Sequence, residues 1–323
     1  MSLEFNINII GVGFLGGSIV NTLLENKVEF NAYDIVDYQN IKCHGKFNYF
    51  RCLSSLVVNS EVNDKINIYF ICVPTPSCEN GECDTSIVKS IVEKLSELIT
   101  RKSIIIIKST VSPGTTRKFN EIYSSEILDL VFCPEFLVEK FANEDMYNAK
   151  FALFGTNGNK DLNVTLKSLF KNVVYKHRKL NFFEKIFPGS FFTRIKFKTY
   201  FSSFEEMELF KYTVNTFLAT KIIFFNEIHE VCEGLNVDYQ ELKTLFPLES
   251  RIGNYGIHVP GPGNDFYGYH LGCLPKEVIS MIKVQENLGL SSELMSCVDK
   301  RNNYFKIKQV LQVELRPSSL HSQ

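Results

Sequence analysis

Seven short apolar runs in the first half of the chain constrain the fold more strongly than any other feature of the sequence. They occupy residues 6–10, 29–33, 66–73, 103–107, 130–133, 151–155 and 173–175. The middle runs are continuously apolar rather than alternating, which is typical of strands buried on both faces of a sheet. Helical patterns separate the runs, and this alternation predicts an α/β fold with a doubly wound, mainly parallel sheet.

The second half of the chain changes to a helical pattern. One long helix is predicted from Glu205 to about Leu235, without proline and with Gly234 where a C-terminal cap would fall. Its apolar residues occupy nearly the whole circumference, so we expect a spine that is buried on several sides and packs against another subunit. Because 323 residues suit two domains, we predict a Rossmann-like domain over residues 1–203 and a helical dimerisation domain over residues 204–323.

A basic and aromatic stretch lies between the two halves, at residues 176–201. It holds seven Lys or Arg residues against one acid, Glu184, and is rich in Phe. Either this stretch is a patch that touches a membrane surface or a partner, or it is an insertion whose aromatic side chains pack on the core. The second interpretation is favoured, because aromatic residues are mostly core residues.

Charge and composition argue against several classes of function. The formal net charge is −1, so no overall field attracts nucleic acid or acidic lipid. The longest aliphatic run, at residues 104–107, is far shorter than the roughly 20 residues of a transmembrane helix. The nine cysteines are scattered and include no CxxC pair, which predicts a reducing, cytoplasmic environment.

Cys78 and Cys83 are the closest pair of cysteines, and they flank an Asn80-Gly81 step. The pair is either a metal or redox clip or part of a plain turn. The turn is favoured, because Asn-Gly is a turn signal and no second pair of ligands follows. The histidines also lack the spacing of metal ligands, so we predict no metal.

A glycine motif, GVGFLG at residues 11–16, directly follows the first predicted strand. In dinucleotide-binding units the first glycine makes a tight turn, the second lets the backbone approach the pyrophosphate, and the third allows close helix packing. The N-terminus of the following helix then faces the phosphates. Asp34 lies at the end of the next strand. A carboxylate at this position accepts hydrogen bonds from the ribose hydroxyls and repels a 2′-phosphate. These residues predict NAD as the cofactor.

Three further strand ends carry polar residues. They are VPTP at residues 73–76, KSTVSPGTT at residues 108–116, and CPEFLVEK at residues 133–140. Ligands of such sheets bind outside the carboxyl ends of the strands. The hydroxyl clusters either bind phosphate or water or merely form turns and helix caps. Glu135 and Glu139, four residues apart, are either a base with a hydrogen-bond acceptor or a solvated surface pair.

Two motifs of the second half contain reactive residue types. Lys211 and Asn215 share one face of the long helix. Buried polar side chains need hydrogen-bonding or charged partners. The two residues therefore either stabilise a developing alkoxide of a substrate, or Lys211 extends its ammonium group to solvent and Asn215 is merely its neighbour. Cys273 lies in a glycine-rich turn close to Lys276. It is either a thiolate nucleophile or a small buried apolar residue.

Taken together and in this order, the motifs resemble the UDP-glucose/GDP-mannose dehydrogenase family. That family shows GxGxxG, VPTP, KSTVPPGTT, PEFLRE, a helix with K-x3-N-x-F-L-A-T-K-I, RIG, and GFGGxCxPKD. This chain has GVGFLG, CVPTPS, KSTVSPGTT, PEFLVEKFANED, ELFKYTVNTFLATKIIFFNEI, RIG at residues 251–253, and LGCLPKE. The match extends from residue 5 to about residue 303.

The resemblance implies an NAD-dependent, four-electron oxidation of a nucleotide sugar at C6 to the uronate, with UDP-glucose favoured as the substrate. Cys273 would capture the aldehyde as a thiohemiacetal and carry the thioester that water hydrolyses. Lys211 and Asn215 would stabilise the oxyanion, while Thr110 and Glu139 would position and activate water.

The same resemblance implies the binding residues. Cofactor contacts would come from Gly11, Gly13, Phe14, Leu15, Gly16, Asp34, Val73, Pro74, Thr75, Thr110, Glu139 and Lys276. Substrate contacts would come from Glu135, Phe136, Leu137, Lys211, Asn215, Arg251, Gly268 and Tyr269. Glu277 stands in place of the catalytic PKD aspartate, and Arg251 matches an arginine that reaches a neighbouring subunit, which implies a homodimer.

The chain departs from the family pattern in several places. The GFGG loop is here Gly268-Tyr-His270-Leu271-Gly272 and is about one residue longer, and Val138 replaces the PEFLRE arginine. About 50 residues follow Cys273, too few for the C-terminal nucleotide-binding domain of most members, so the sequence is similar to short members.

Alternatives to UDP-glucose oxidation stay open at this stage. GDP-mannose or an N-acetylated UDP sugar are other substrates. A two-electron, 3-hydroxyacid-type dehydrogenase shares the glycine motif and the Lys-x3-Asn pair but does not need Cys273. A non-catalytic NAD-binding dimer is a third class, suggested by His270 and Leu271.

Overall fold

The apolar runs of the first half become the strands of one sheet. The computed structural model describes residues 5–36, 47–137, 142–147, 149–175, 197–260, 267–270 and 272–314. The chain divides into two compact units, Met1–Pro76 with Asp84–Lys211, and Ser77–Cys83 with Tyr212–Gln323.

The first unit contains an eight-stranded sheet in the order β3-β2-β1-β4-β5-β6-β7-β8. Its strands are β1 Phe5–Ile10, β2 Phe30–Tyr33, β3 Phe47–Phe50, β4 Ile66–Ile71, β5 Ser103–Ile107, β6 Leu128–Phe132, β7 Phe151–Gly155 and β8 Lys198–Ser202. Neighbouring strands are parallel except β6 and β7, which are antiparallel. The predicted fold class is confirmed.

Helices cover both faces of this sheet. They are α1 Phe14–Glu25, α2 Leu53–Ser60, α3 Ser86–Leu98, α4 Thr115–Tyr123, α5 Ala142–Tyr147 and α6 Lys160–Leu169. Side chains alternate along a strand, so Ile104 and Ile106 join the core beneath α1 and α6, whereas Ile105 and Ile107 join the opposite core. Two apolar cores, one on each face, explain why the strand sequence is continuously apolar.

The prediction of a strand at residues 173–175 is wrong. Residues Phe170–Val174 form a π-helical turn that continues α6, and Val173 and Val174 are buried there. A short apolar run does not distinguish a buried strand from a buried helical turn, because both bury every side chain. The other six predicted strands are confirmed to within two residues at each end.

Two strands of the sheet were not predicted. β3 and β8 are its edge strands, and their residues are partly exposed, which removes the continuous apolar signal. β8 begins inside the stretch that was predicted as a basic and aromatic insertion. Residues 176–196 of that stretch lie outside the described residues.

The second unit is built on helices. The long helix α7 spans Phe204–Leu235, with its first two turns in the first unit, and α8 Tyr239–Lys243, α9 Leu274–Asn287 and α10 Glu293–Glu314 follow. The predicted cap at Gly234 is wrong, because this residue lies inside α7. Asn236, with φ 56°, takes the left-handed conformation just beyond the helix instead, which an asparagine side chain tolerates.

Candidate active site

The glycine loop at the end of β1 has no room for a side chain at Gly11 or Gly16. Gly11 has φ 85°, and a Cβ atom there would lie 2.9 Å from the backbone of Cys72. A Cβ atom at Gly16 would lie 1.8 Å from the carbonyl oxygen of Gly11. α1 therefore packs directly on the loop and begins at Phe14, with Gly13 as its N-cap. Leu15 follows in the first turn of α1, where backbone N–H groups are available to phosphate.

Asp34 is fixed beside this loop, at the end of β2. Its Oδ2 accepts the N–H of Val12 at 2.6 Å, and its Oδ1 accepts the N–H of Val36 at 3.0 Å. The carboxylate is thus held where the predicted ribose acceptor is required. The cradle at Gly11 and Gly16, together with this carboxylate, fits an NAD cofactor.

The loops after β4 and β5 are joined to each other. The hydroxyl of Thr75 donates to the carbonyl oxygen of Thr110 at 2.7 Å, and the hydroxyl of Ser109 donates to the carbonyl oxygen of Val73 at 2.7 Å. The predicted cofactor residues Val73, Pro74, Thr75 and Thr110 therefore form one assembly at the carboxyl ends of two adjacent strands.

A buried charged cluster lies at the ends of β5 and β6. Lys108 Nζ is 3.0 Å from Glu135 Oε2 and 3.4 Å from Cys133 Sγ. Burial by itself lowers the pKa of Lys108, but Cys133 and Glu135 outweigh burial, and the pKa is raised. Burial also raises the pKa of the Cys133 thiol and of the Tyr175 hydroxyl.

A cavity of about 270 Å³ opens beside this cluster. Lys108, Glu135, Phe136, Leu137 and Tyr175 are among its lining residues. Lys211 is 7% exposed, and its Nζ lies 5.1 Å from the centroid of the Phe136 ring, a distance suited to a cation–π interaction. Four of the predicted substrate residues, at positions 135–137 and 211, are therefore associated with one region of the first unit.

In the second unit, Asn215 and Glu277 form a buried pair. Asn215 Nδ2 donates to Glu277 Oε2 at 2.8 Å, and the two residues are 8% and 1% exposed. Glu277 lies in the first turn of α9, and its N–H donates to the carbonyl oxygen of Cys273 at 2.9 Å. Cys273 itself is the exposed N-cap residue of this helix. Helix N-termini stabilise negative charge.

Other predicted site residues have different surroundings. The side chain of Arg251 is 87% exposed and pairs with Glu249 at 2.8 Å. Lys276 is half-buried in the first turn of α9. Tyr269 is buried in the core of the second unit, and Gly268 precedes it with φ 73°. Glu139, Val138 and Leu271 lie outside the described residues, so the role of Glu139 stays a prediction.

Several side chains of these regions were not predicted as site residues. Lys108 and Cys133 lay within two separate motifs, but neither motif specifies the contact between these two strand ends. Tyr175, which lines the same cavity, lay in no motif. Asn226 and Asn302, which hold the loop before Cys273, have no sequence signal beyond an amide within a helical pattern. Their contacts arise from helix packing.

The Cys78–Cys83 segment is a turn, as favoured from the sequence. Gly81 has φ 88°, and its N–H donates to the carbonyl oxygen of Cys78 at 2.9 Å. Ser77 and Cys83 form an isolated antiparallel β-bridge. Across the described residues, no cluster of three or more His, Cys, Asp or Glu side chains is arranged to hold a metal ion. Within the same residues, no helix combines the length and apolar character of a membrane span.

A mainly parallel sheet, a glycine turn into α1 and a fixed carboxylate after β2 define a dinucleotide-binding domain, as found in NAD-dependent oxidoreductases. The NAD binding domain model of the UDP-glucose/GDP-mannose dehydrogenase family matches residues 50–174, and the central domain model of that family matches residues 205–304. The chain belongs to the UDP-glucose/GDP-mannose dehydrogenase family. This membership confirms the predicted family and the predicted NAD cofactor.

Individual relatives agree with this assignment. The chain is 28% identical over 336 residues to a UDP-glucose 6-dehydrogenase of Rickettsia prowazekii, covering 98% of this chain and 68% of the relative. It is 31% identical over 248 residues to the protein of that name in Rickettsia felis, covering 76% of this chain and 49% of the relative. The chain thus spans between about half and two thirds of these relatives.

A solved structure shares the fold. It is a UDP-glucose dehydrogenase from the hyperthermophilic archaeon Pyrobaculum islandicum, with a TM-score of 0.74 and 23% identity, covering 96% of this chain and 71% of that chain. At this identity the likeness concerns the fold alone.

Proposed function

We propose that this chain oxidises a nucleotide sugar at C6 to the uronate with NAD, and that UDP-glucose is the substrate. The observation that carries the proposal is the arrangement around Cys273: this exposed cysteine is the N-cap residue of α9, and one turn further Glu277 accepts a hydrogen bond from the amide of Asn215. Relatives named UDP-glucose 6-dehydrogenase support the choice of sugar.

The first unit holds the cofactor in this proposal. The loop of Gly11, Gly13 and Gly16 would hold the pyrophosphate, and Asp34 would accept hydrogen bonds from the ribose hydroxyls. The joined loops of Val73–Thr75 and Thr110 border the cofactor at the carboxyl ends of β4 and β5. When bound, NAD accepts the hydride of each oxidation step.

Cys273 forms the covalent bond to the substrate. C6 first loses a hydride and its hydroxyl group loses a proton to water, which gives the aldehyde. The Cys273 thiol releases its proton to water as well, the thiolate adds to the aldehyde carbon, and the carbonyl oxygen becomes an alkoxide. Asn215 donates to this oxygen and Lys211 compensates its charge, while Glu277 orients the amide of Asn215. Loss of the second hydride yields a thioester, because the sulfur stays bound to the oxidised carbon.

Water completes the reaction by attacking the thioester carbon. The C–S bond breaks, the uronate leaves as a carboxylate, and the thiol of Cys273 is restored. Thr110 positions this water and Glu139 takes up its proton in the proposal. A thioester suits the task because it is stable enough to survive cofactor exchange and yet reactive toward water.

NADH formation with a panel of nucleotide sugars tests the proposal. We expect two NADH per UDP-glucose and slower turnover with GDP-mannose and N-acetylated UDP sugars. Cys273→Ser should abolish the second hydride transfer, because a serine oxygen cannot form the thiohemiacetal and thioester that this step needs. Cys297→Ser, at another exposed cysteine, is the matched control and should keep both steps. Full activity of Cys273→Ser would indicate a two-electron dehydrogenase, and no turnover with any sugar would refute the proposal.

A further inference from the structure

The backbone just before Cys273 is held by two buried asparagines from different helices. Asn302 of α10 is 0% exposed. Its Oδ1 accepts the N–H of Tyr269 at 2.8 Å, and its Nδ2 donates to the carbonyl oxygen of Tyr269 at 3.0 Å. Asn226 of α7 accepts the N–H of Gly268 at 2.9 Å. Two side-chain amides thus satisfy three backbone groups of two consecutive residues.

The loop and the Asn302 side chain are shaped to each other. Gly268 has φ 73°, and a Cβ atom there would lie 2.4 Å from Asn302 Oδ1. Asn302 therefore occupies the space that a side chain at position 268 would need. The Tyr269 ring is buried beside Val298 and Phe305 in the core, which restrains the same backbone from the side-chain end.

His270 adds a contact within the loop. Its Nε2 lies 2.9 Å from the carbonyl oxygen of Tyr267. The family pattern has glycine in this part of the loop, so the imidazole is a feature of this chain. This contact joins the two ends of residues 267–270, so the loop is restrained by one of its own side chains as well as by α7 and α10.

We propose that Asn302, assisted by Asn226, is a positioning residue that sets the place of the Cys273 thiol. Cys273 follows Tyr269 by four residues, so a shift of the Tyr269 backbone is transmitted along a short chain. An asparagine is suited to this task, since it offers one acceptor and one donor to the two groups of a single residue. The inference rests on the proposed function, because it takes Cys273 as the nucleophile.

Turnover gives the first test. Misplacement of a nucleophile by about 1 Å lowers a rate roughly 100-fold, so Asn302→Ala should lower kcat about 10- to 100-fold and leave KM for NAD unchanged. Asn302→Asp keeps the acceptor and the shape and loses the donor, so its kcat should lie between those of Asn302→Ala and the wild type. Asn303→Ala, at the exposed neighbouring residue, is the matched control and should retain full kcat.

Thiol reactivity gives a second test that needs no turnover. The full-length variants are treated with iodoacetamide, and alkylation of each cysteine is followed by peptide mass spectrometry. Asn302→Ala should change the alkylation rate of Cys273 more than threefold and leave that of exposed Cys52 unchanged. Hydrogen exchange of residues 267–270 should accelerate in the same variant.

The outcomes separate the two proposals. An unchanged alkylation rate and kcat, despite faster exchange at residues 267–270, would overturn the positioning role. If the wild type oxidises no nucleotide sugar, the proposed function fails, whereas the alkylation comparison still decides whether Asn302 places the thiol. If circular dichroism shows that Asn302→Ala does not fold, the alkylation rate and kcat of Asn302→Asp are compared with those of the wild type instead.

Discussion

Lys108 holds a positive charge on a side chain that is 2% exposed, at the point where β5 ends. Glu135, whose side chain is 16% exposed, is its partner at 3.0 Å. Removing one member of a buried ion pair leaves the other charge without compensation, whereas removing both costs far less. The pair therefore restricts which substitutions this corner of the sheet accepts.

We expect Lys108→Met to lower the free energy of unfolding by about 3–5 kcal/mol. The double variant Lys108→Met/Glu135→Gln should recover a large part of this loss. Lys283→Met, which removes the partly exposed pair with Glu286, is the control and should cost less than about 1 kcal/mol. Urea unfolding of the four proteins measures these losses of stability, and equal losses for Lys108→Met and Lys283→Met would contradict the expectation.

At the scale of elements, the first turns of α7 stabilise the start of α4. Glu208 of α7 is 0% exposed and accepts the N–H groups of Gly114 at 2.6 Å and Thr116 at 2.8 Å. These are donors that a helix N-terminus leaves without partners. Burial raises the pKa of Glu208 to about 7, although both hydrogen bonds oppose that rise.

The raised pKa predicts a pH dependence of stability. The folded state binds the proton of Glu208 more tightly than the unfolded state does, so the contribution of Glu208 to stability is greatest below pH 4.5 and is lost as the pH rises through about 7. Relative to Glu208→Gln, the wild type should lose up to about 3 kcal/mol across this window.

Urea unfolding at several pH values measures this loss. The variant Glu205→Gln is the control and should still lose stability as the pH rises from 4.5 to about 7. The hydrogen bond with Arg117 lowers the pKa of Glu205, so this carboxyl group does not titrate in that pH range. An identical pH profile for the wild type and Glu208→Gln would show that the carboxyl group does not titrate as expected.

At the scale of the whole molecule, α7 presents an apolar stripe along one face. Phe210, Phe217, Phe224 and Val231 follow each other at intervals of seven residues and are 45%, 62%, 53% and 53% exposed. Seven residues make about two helical turns, so these side chains share one face. Exposed apolar patches mark association sites, and we infer that this stripe is the homodimer interface predicted from the sequence.

The variant Phe217→Glu/Phe224→Glu should be monomeric, because two carboxylates would be buried in the stripe on association. Size-exclusion chromatography with light scattering compares its mass with that of the wild type. Val164→Glu changes an apolar residue of α6 that is 68% exposed and should leave the mass unaltered. A monomeric wild type would refute the homodimer.

The sequence alone predicted the sheet, the glycine loop and the long helix. Each of these depends on local properties: a strand buried on two faces must be apolar throughout, and Gly11 and Gly16 have no space for a Cβ atom. Such requirements are visible in single segments of the chain. The family motifs added the candidate site residues, and their roles remain predictions.

Tertiary structure decided what depends on distant partners. The π-helical turn at Phe170–Val174 and the edge strands β3 and β8 acquire their conformations from neighbours rather than from their own patterns. Asn302 holds a residue 33 positions away, and Glu208 caps a helix 92 positions away. A sequence motif contains residue types and their spacing, but burial and hydrogen bonding between separated segments exist only once the chain has folded.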